Sequence, residues 1–402
     1  MNEHRSAKEI KHDLYQQAKN ELTNILSYWK KNMTDRHYGG FYARRDGDNR
    51  LDQSAPKGVV LNARILWTFS AASEVTNTRQ CIAVAKRAFK YMLDYFRDAV
   101  NGGVYWTVDR NGEKLDGKKQ TYAQAFALYG YTAYFQATGN ETAKNEAIAL
   151  FHSIETHCYD RIHGGYTEAL DENWLPLPDQ RLSEKDANEP KSMNTHLHVL
   201  EAYTALYRVW PDALLKQRIS ELLAIFRDKI ICKTSGHLQL FFSVDWVPRS
   251  EDVSFGHDIE AAWLLYEAAL ALEENTGTTE MRNVSLRLTE AACAGLDADG
   301  GLWYESNPDH TLFVREKHWW PQAEALVGFC NAWQLSGEEV WLKHAQQTWM
   351  FIQEKLMDKD KGEWFWGIDG QNTVLRNEDK AGFWKCPYHN GRACLELMRR
   401  LS

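Results

Sequence analysis

The chain has 402 residues, with 47 Lys and Arg against 55 Asp and Glu, a formal charge of -8, and 44% hydrophobic residues. This is an ordinary globular composition, large enough for one repeat-built domain or two to three average ones, and it excludes extensive disorder. No basic run offers a phosphate-binding surface and no apolar run could span a bilayer, so neither nucleic acid nor a membrane is expected as a partner.

The opening residues, Met-Asn-Glu-His-Arg-Ser-Ala-Lys, are charged and lack the apolar segment of a secretory signal, which predicts a cytoplasmic protein. An amphipathic helix follows from Glu9 to Lys31. The chain then reads Gly39-Gly-Phe-Tyr-Ala-Arg-Arg-Asp, a glycine and aromatic signature that returns at Gly102, Gly164, Gly236, Gly300 and Gly362. Glycine, alternating aromatics and turns such as Asp109-Arg-Asn-Gly predict a short β-hairpin at each signature. Two helix-length segments lie between signatures, for example Ser192 to Val209 and Pro211 to Ile231. The last helix, Pro387 to Leu401, is as amphipathic as the first. Six helix pairs without polar caps at either end predict closure into an all-α (α/α)6 toroid with hairpins between repeats, a single domain over 1–402.

In such a ring, polar residues near the start of the helix after each hairpin would meet in a central cavity. In chain order they are Arg64 in an apolar helix (Val59 to Ala72), Tyr122, Asn194 with His198, His257 with Glu260, Trp320 and His389. Ser192 and Ser254 suit N-caps, and Pro321 and Pro387 suit first helical positions, which gathers these side chains at the mouth where helix N-termini point. A buried arginine needs a partner or a site, and Arg64 is assigned to the site. His257 and Glu260 are three apart, so the carboxylate is expected to orient the imidazole; Asn194 and His198, four apart, share a face. His198, His257 and His389 are read as equivalent repeat positions, which favours a site over three unrelated structural histidines. His196 points away from His198 and is expected to serve structure, Trp319 belongs to the core, and Trp320 is core or sugar platform.

Content of 16 Trp, 18 Tyr and 16 Phe suggests a cavity lined for the flat apolar faces of sugars. Seven scattered cysteines without Cys-x-x-Cys imply reduced thiols, with Cys386, near His389, a weak nucleophile candidate. Spacing supplies no metal cluster and no nucleotide-binding loop, so no metal and no cofactor are expected.

Asn194-Thr-His-Leu-His, Gly256-His-Asp-Ile-Glu, Trp319-Trp-Pro-Gln-Ala-Glu and Trp384-Lys-Cys-Pro-Tyr-His-Asn resemble the cellobiose 2-epimerases of the N-acylglucosamine 2-epimerase superfamily. The resemblance implies an (α/α)6 barrel that epimerises C2 of the reducing-end sugar of β-1,4-linked disaccharides without a cofactor. It implies His257 and His389 as the acid/base pair and His198 as a further essential histidine, with Arg64, Tyr122, Asn194, Glu260 and Trp320 around the reacting sugar. Asp186, Trp303 and Trp384 would hold the sugars. The expected partner is a disaccharide, and the expected state a monomer or weak homodimer. The alternatives are an aldose-ketose isomerase or N-acylglucosamine epimerase, a glycoside hydrolase, whose two flanking carboxylates would leave the histidines unexplained, and a non-catalytic carbohydrate- or protein-binding scaffold.

Overall fold

Each repeat folds as a helix that is apolar on all sides followed by one with a single apolar stripe, and this difference decides which helix goes inside. The computed structural model describes residues 6–76, 78–273 and 275–402. Among them twelve α-helices form: α1 (Ala7–Asn32), α2 (Val59–Thr76), α3 (Arg79–Tyr91), α4 (Thr121–Thr138), α5 (Glu141–His157), α6 (Met193–Val209), α7 (Ala213–Ile225), α8 (Phe255–Ala271), α9 (Asn275–Ala292), α10 (Trp319–Ser336), α11 (Glu339–Phe351) and α12 (Tyr388–Leu401). Val59 through Ala72 of α2 are all buried, as expected of a helix surrounded by others. In α3 only the stripe of Cys81, Val84, Ala85, Ala88 and Phe89, with Tyr91, is buried.

The even-numbered helices pack neighbour to neighbour into an inner ring, and α12 returns to α2 to close it. The odd-numbered helices lie outside. The sixth pair joins the two ends of the chain, since α1 packs along α12. The predicted (α/α)6 toroid is therefore formed, with its last pair contributed by both termini.

Helix boundaries differ from the sequence reading where side chains cap the ends. Ser192 caps α6, its Oγ accepting from the Thr195 amide at 3.1 Å. The next helix starts after Pro211, because Asp212 accepts from the Leu214 and Leu215 amides, and it ends at Ile225 in a single π-turn, Phe226–Ile230. Pro387 precedes α12 and Pro321 is the third residue of α10, so neither occupies the first helical position.

The signature hairpins do more than fill turns. Thr107–Val108 pairs with Lys114–Asp116 as a hairpin, but also with Lys57–Gly58, the strand leading into α2 of the preceding repeat. The same stitch joins Lys119–Gln120 to Ala169–Leu170, Lys191–Ser192 to Phe241–Phe242, Val253–Ser254 to Glu305–Ser306, and Lys317–His318 to Gly367–Ile368. Each inner helix from α2 to α10 thus begins at a strand locked to the next repeat, which fixes the height of its first turn in the ring.

Buried ion pairs brace these entries. Lys57 meets Asp35, Lys119 meets Asp98 and Lys191 meets Asp160, each at 2.8 Å, Lys317 meets Asp297 at 2.6 Å, and Lys380 meets Asp358. The fourth repeat carries Val253 and Cys232 in place of the lysine and the aspartate, replacing both charges together and stranding neither.

Candidate active site

One position near the start of each inner helix is committed to structure. In four successive repeats its side chain accepts the amide of a signature strand: Gln124 from Val104 and His196 from Tyr166, both at 2.8 Å, Asp258 from Leu238 at 2.8 Å, and Gln322 from Leu302 at 2.6 Å. His196 also bonds the Ser192 carbonyl through Nδ1 at 2.6 Å, so Nδ1 donates and Nε2 accepts. The ring is fully buried, and burial pushes it down to about 4. A neutral histidine committed at both nitrogens has no proton to trade, and His196 is an anchor between layers.

Two residues further on, the helix turns about 200°, so the side chain faces the ring interior. Those residues are Arg64, Phe126, His198, Glu260, Glu324 and Arg392. One residue before the anchor stand His257 and His389, and two before it Tyr122, Asn194, Trp320 and Tyr388. His257 and His389 therefore share a phase, whereas His198 is three positions later, the equivalent of Glu260 and not of His257. The sequence expectation of three equivalent histidines is corrected to a pair and a third from another row.

Of these side chains Arg64, Tyr122, Asn194, His198, His257, Glu260, Trp320 and His389 line a cavity of about 400 Å³, within the range of small-molecule sites. His257, His389 and His198 line it, and each is held through Nδ1: His257 by Ser254 Oγ at 2.8 Å, His389 by Glu324 at 2.7 Å and His198 by Glu201 at 2.9 Å. None has a hydrogen bond at Nε2 among the described residues. The indole of Trp320 sits between two of them, its centroid 4.7 Å from His257 and 5.7 Å from His389.

Glu260 does not orient His257, contrary to expectation. Its Oε1 accepts from Arg392 Nη2 at 2.6 Å, because a buried guanidinium outcompetes a neutral imidazole for a carboxylate. The same Nη2 donates to Glu324 at 2.6 Å, and Nη1 donates to Glu201 and Tyr388. Against burial that would raise it, Arg392 and His198 hold Glu201 down at about 2. Burial and the adjacent Glu324 charge push Glu260 up to about 8. Glu324 is also pushed up by burial, but three donors converge on it, Arg392 Nη2, His389 Nδ1 and Trp263 Nε1, so the shared proton belongs on Glu260. Two anions, Glu201 and Glu324, then balance two cations, Arg392 and Arg64.

Arg64 is 2% exposed and has no carboxylate within 4 Å among the described residues. Its Nη2 donates to Tyr122 Oη at 2.6 Å, and its guanidinium lies over Phe126, 4.2 Å from the centroid. Burial depresses all three site histidines, most deeply His257, to about 3, and His389. Their resting forms are neutral bases.

Of the predicted residues, Arg64, Tyr122, Asp186, Asn194, His198, His257, Glu260, Trp320, Trp384 and His389 line the cavity. Asp186 reaches it on the long third-repeat connection, its Oδ2 bonded to Ser183. Asn194 Oδ1 is buried without a partner, as an acceptor awaiting a hydroxyl would be. Trp303 is not among the lining residues; it packs on Phe313 beneath Arg315, and its neighbour Tyr304 takes the cavity position. Trp319 is buried against Trp366. Cys386 is buried and pushed up, which removes thiolate character. Glu201, Glu324, Tyr388 and Arg392 were missed by the sequence reading. Writing the inner helices under one another at the anchor phase would have found Glu324 and Arg392, which align with His198. Glu260, Glu324 and His389 also bring ligand atoms within 4.8 Å of one another, but both carboxylates are already bonded to Arg392.

The family model described as N-acylglucosamine 2-epimerase (GlcNAc 2-epimerase) matches residues 39–393. The chain belongs to the N-acylglucosamine 2-epimerase family. Among family relatives, it is 47% identical over 386 residues to the cellobiose 2-epimerase of Bacteroides fragilis, covering 96% of this chain and 98% of the relative. The solved cellobiose 2-epimerase of Bacillus thermoamylovorans B4167 superposes with a TM-score of 0.92 at 36% identity, covering 97% of this chain and 100% of the other. That of Spirochaeta thermophila gives 0.91 at 38% identity, covering 97% of each chain.

Proposed function

We propose that this N-acylglucosamine 2-epimerase family member epimerises C2 of the reducing-end sugar of β-1,4-linked disaccharides such as cellobiose, lactose and mannobiose, the whole chain acting as one catalytic domain. The observation that carries the reading is the phase-matched pair His257 and His389, facing one cavity across Trp320 with Nε2 unengaged. A cellobiose 2-epimerase that is 47% identical over nearly the whole chain supports the substrate class.

The chemistry needs only proton transfers. A C2 proton becomes acidic when C1 is an open-chain aldehyde, so the anomeric hydroxyl first loses a proton to Nε2 of one histidine of the pair while the ring oxygen gains one. Glu260, pushed up to about 8, is a carboxylic acid near neutrality and supplies a donor at the cavity wall. Nε2 of the other histidine then takes the C2 proton, leaving a cis-enediolate with negative charge on O1. Arg64 and the Tyr122 hydroxyl it holds are donors already in place for that oxygen. The imidazolium formed at ring opening delivers its proton to C2 on the opposite face and gives the epimer; ring closure then returns the other histidine's proton to O1 and the ring hydroxyl's proton to Glu260, and the reverse reaction exchanges the roles. When His389 carries the proton, Glu324 at 2.7 Å compensates its charge.

The seven free cysteines support the cytoplasm as the compartment in which the protein acts, as a monomer or weak homodimer. Incubation with cellobiose in deuterated water tests the reading. The expected product is glucosyl-mannose with deuterium at C2; free glucose, a ketose as sole product, or binding without C2 exchange would each reject it.

A further inference from the structure

Arg392 does not line the cavity, yet it touches the partners of two of the three site histidines. It lies fully buried in α12 with its guanidinium over the Tyr388 and Trp263 rings, 4.3 and 4.8 Å from their centroids. Its fork reaches Glu201 on α6, Glu260 on α8 and Glu324 on α10, so one side chain ties three neighbouring inner helices to a fourth. Glu324 Oε1 accepts from Arg392 Nη2 and from His389 Nδ1 alike, and Glu201 joins Arg392 to His198 through its two oxygens, Oε1 to Arg392 Nη1 and Oε2 to His198 Nδ1.

We propose that Arg392 is a positioning residue for the epimerisation: by keeping Glu201 and Glu324 as anions, it fixes His198 and His389 as Nδ1–H tautomers, so that both present a basic Nε2 to the sugar. The catalytic consequence rests on the function proposed above; the tautomer assignment does not. Donors occupy the shared oxygen of Glu324 and both oxygens of Glu201, which favours the anion at each, and an anionic acceptor at Nδ1 holds the ring proton there. The groups facing the hub from each packed element are Arg64 from α2, Tyr129 from α4, His198 and Glu201 from α6, Glu260 from α8, Glu324 from α10, and Tyr388 and His389 from α12. Arg208, Glu267, Glu396 and Arg399 line the pocket behind it.

The test uses Arg392→Met and Arg392→Lys in the full-length enzyme. In the Met variant, kcat on cellobiose falls about 100-fold or more with little change in KM, as when a catalytic histidine loses its orienting anion. Removing the cation also eases imidazolium formation, so the acid limb of kcat/KM moves to higher pH. Without sugar, 15N shifts of labelled histidine change from Nδ1–H at His198 and His389 to a tautomer mixture. Lysine keeps the charge without the fork and restores the acid limb while recovering only part of kcat. A folded Met variant with unchanged acid limb and tautomers overturns the proposal. If that variant does not fold, Glu324→Gln decides: His389 loses its fixed tautomer while His198 keeps it, and an unchanged His389 overturns the proposal. Because the 15N reading needs no substrate, it separates failure of this inference from failure of the proposed reaction.

Discussion

Replacing His196 separates its structural role from the chemistry of its neighbour. In His196→Ala the Tyr166 amide, bonded at 2.8 Å, loses its partner inside the fold, and the Ser192 carbonyl at the start of α6 loses its side-chain donor at 2.6 Å. The buried orphan amide costs about 1–3 kcal/mol, and the vacated ring adds a cavity worth about 2 kcal/mol, so the loss is about 3–5 kcal/mol. Glutamine should recover most of it. Gln322, at the same position of the fifth repeat, accepts from the Leu302 amide and donates to the His318 carbonyl, the counterpart of Ser192, at 3.0 Å. His196→Gln is therefore expected within about 1.5 kcal/mol of the parent, with unchanged turnover per folded molecule. The imidazole also predicts a pH signature. Its folded value near 4 lies below the unfolded 6.5, so the unfolded chain binds more protons between those values. Stability due to this group is complete above pH 6.5 and declines as pH falls to 4, by roughly 3 kcal/mol in all. Urea unfolding followed by tryptophan fluorescence from pH 4 to 8 should show the parent losing this increment and His196→Gln lacking it. A glutamine variant as unstable as the alanine one, or a tenfold fall in its turnover, would refute the anchor assignment.

Three further outcomes follow from the site. His257→Ala and His389→Ala should each abolish deuterium incorporation at C2 of cellobiose, measured by NMR; full exchange in either would remove that residue from the acid/base pair. The parent is expected to lose kcat on the alkaline side as the Glu260 carboxyl, pushed up by burial and the Glu324 charge, gives up its proton, and Glu260→Gln should remove that limb and lower kcat by about 10²–10⁴; a limb that persists assigns it elsewhere. Cys232, pushed down to about 6 by the Ser235 and Thr234 hydroxyls and partly exposed, should be alkylated first at pH 7, while Cys386 stays unmodified until unfolding; peptide mapping after brief iodoacetamide treatment reads the order.

The ring was legible in the sequence because its two causes are local. The glycine and aromatic signature recurs at nearly constant spacing, and buried helices such as Val59–Ala72 are apolar all round. Candidate residues were legible for the same reason, since a polar side chain in an apolar helix start is conspicuous. The electrostatics were not. The i, i+3 spacing of His257 and Glu260 suggested a bond within one helix, yet Glu260 turns to Arg392, 132 residues away. A rule for neighbours on one helix cannot weigh a stronger partner delivered by ring closure. Trp303 shows the same limit in the bend that leads into the Glu305–Ser306 strand, where Tyr304 and not Trp303 takes the cavity side.

The phase correction strengthens the chemical argument. Three histidines at one repeat position would sit around the ring at equal depth and meet the sugar alike, with nothing to distinguish their tasks. Instead His257 and His389 come from the row before the anchors, and His198 from the row after, level with Glu260, Glu324 and Arg392. Of the row after the anchors, Glu324 and Arg392 are withdrawn into the fold, while Arg64, His198 and Glu260 reach the cavity wall beside His257, His389, Tyr122 and Trp320. A reaction that moves one proton on and off carbon needs both layers. Bases must meet the substrate without a standing charge, as the depressed values of His257 and His389 provide, and a charge must lie one bond behind to receive the imidazolium when it forms, as Glu324 does for His389. His257 has only Ser254 Oγ behind it. The two faces of C2 are thus served by bases of unequal support, and the better supported one, His389, is the one tied to Arg392 through Glu324.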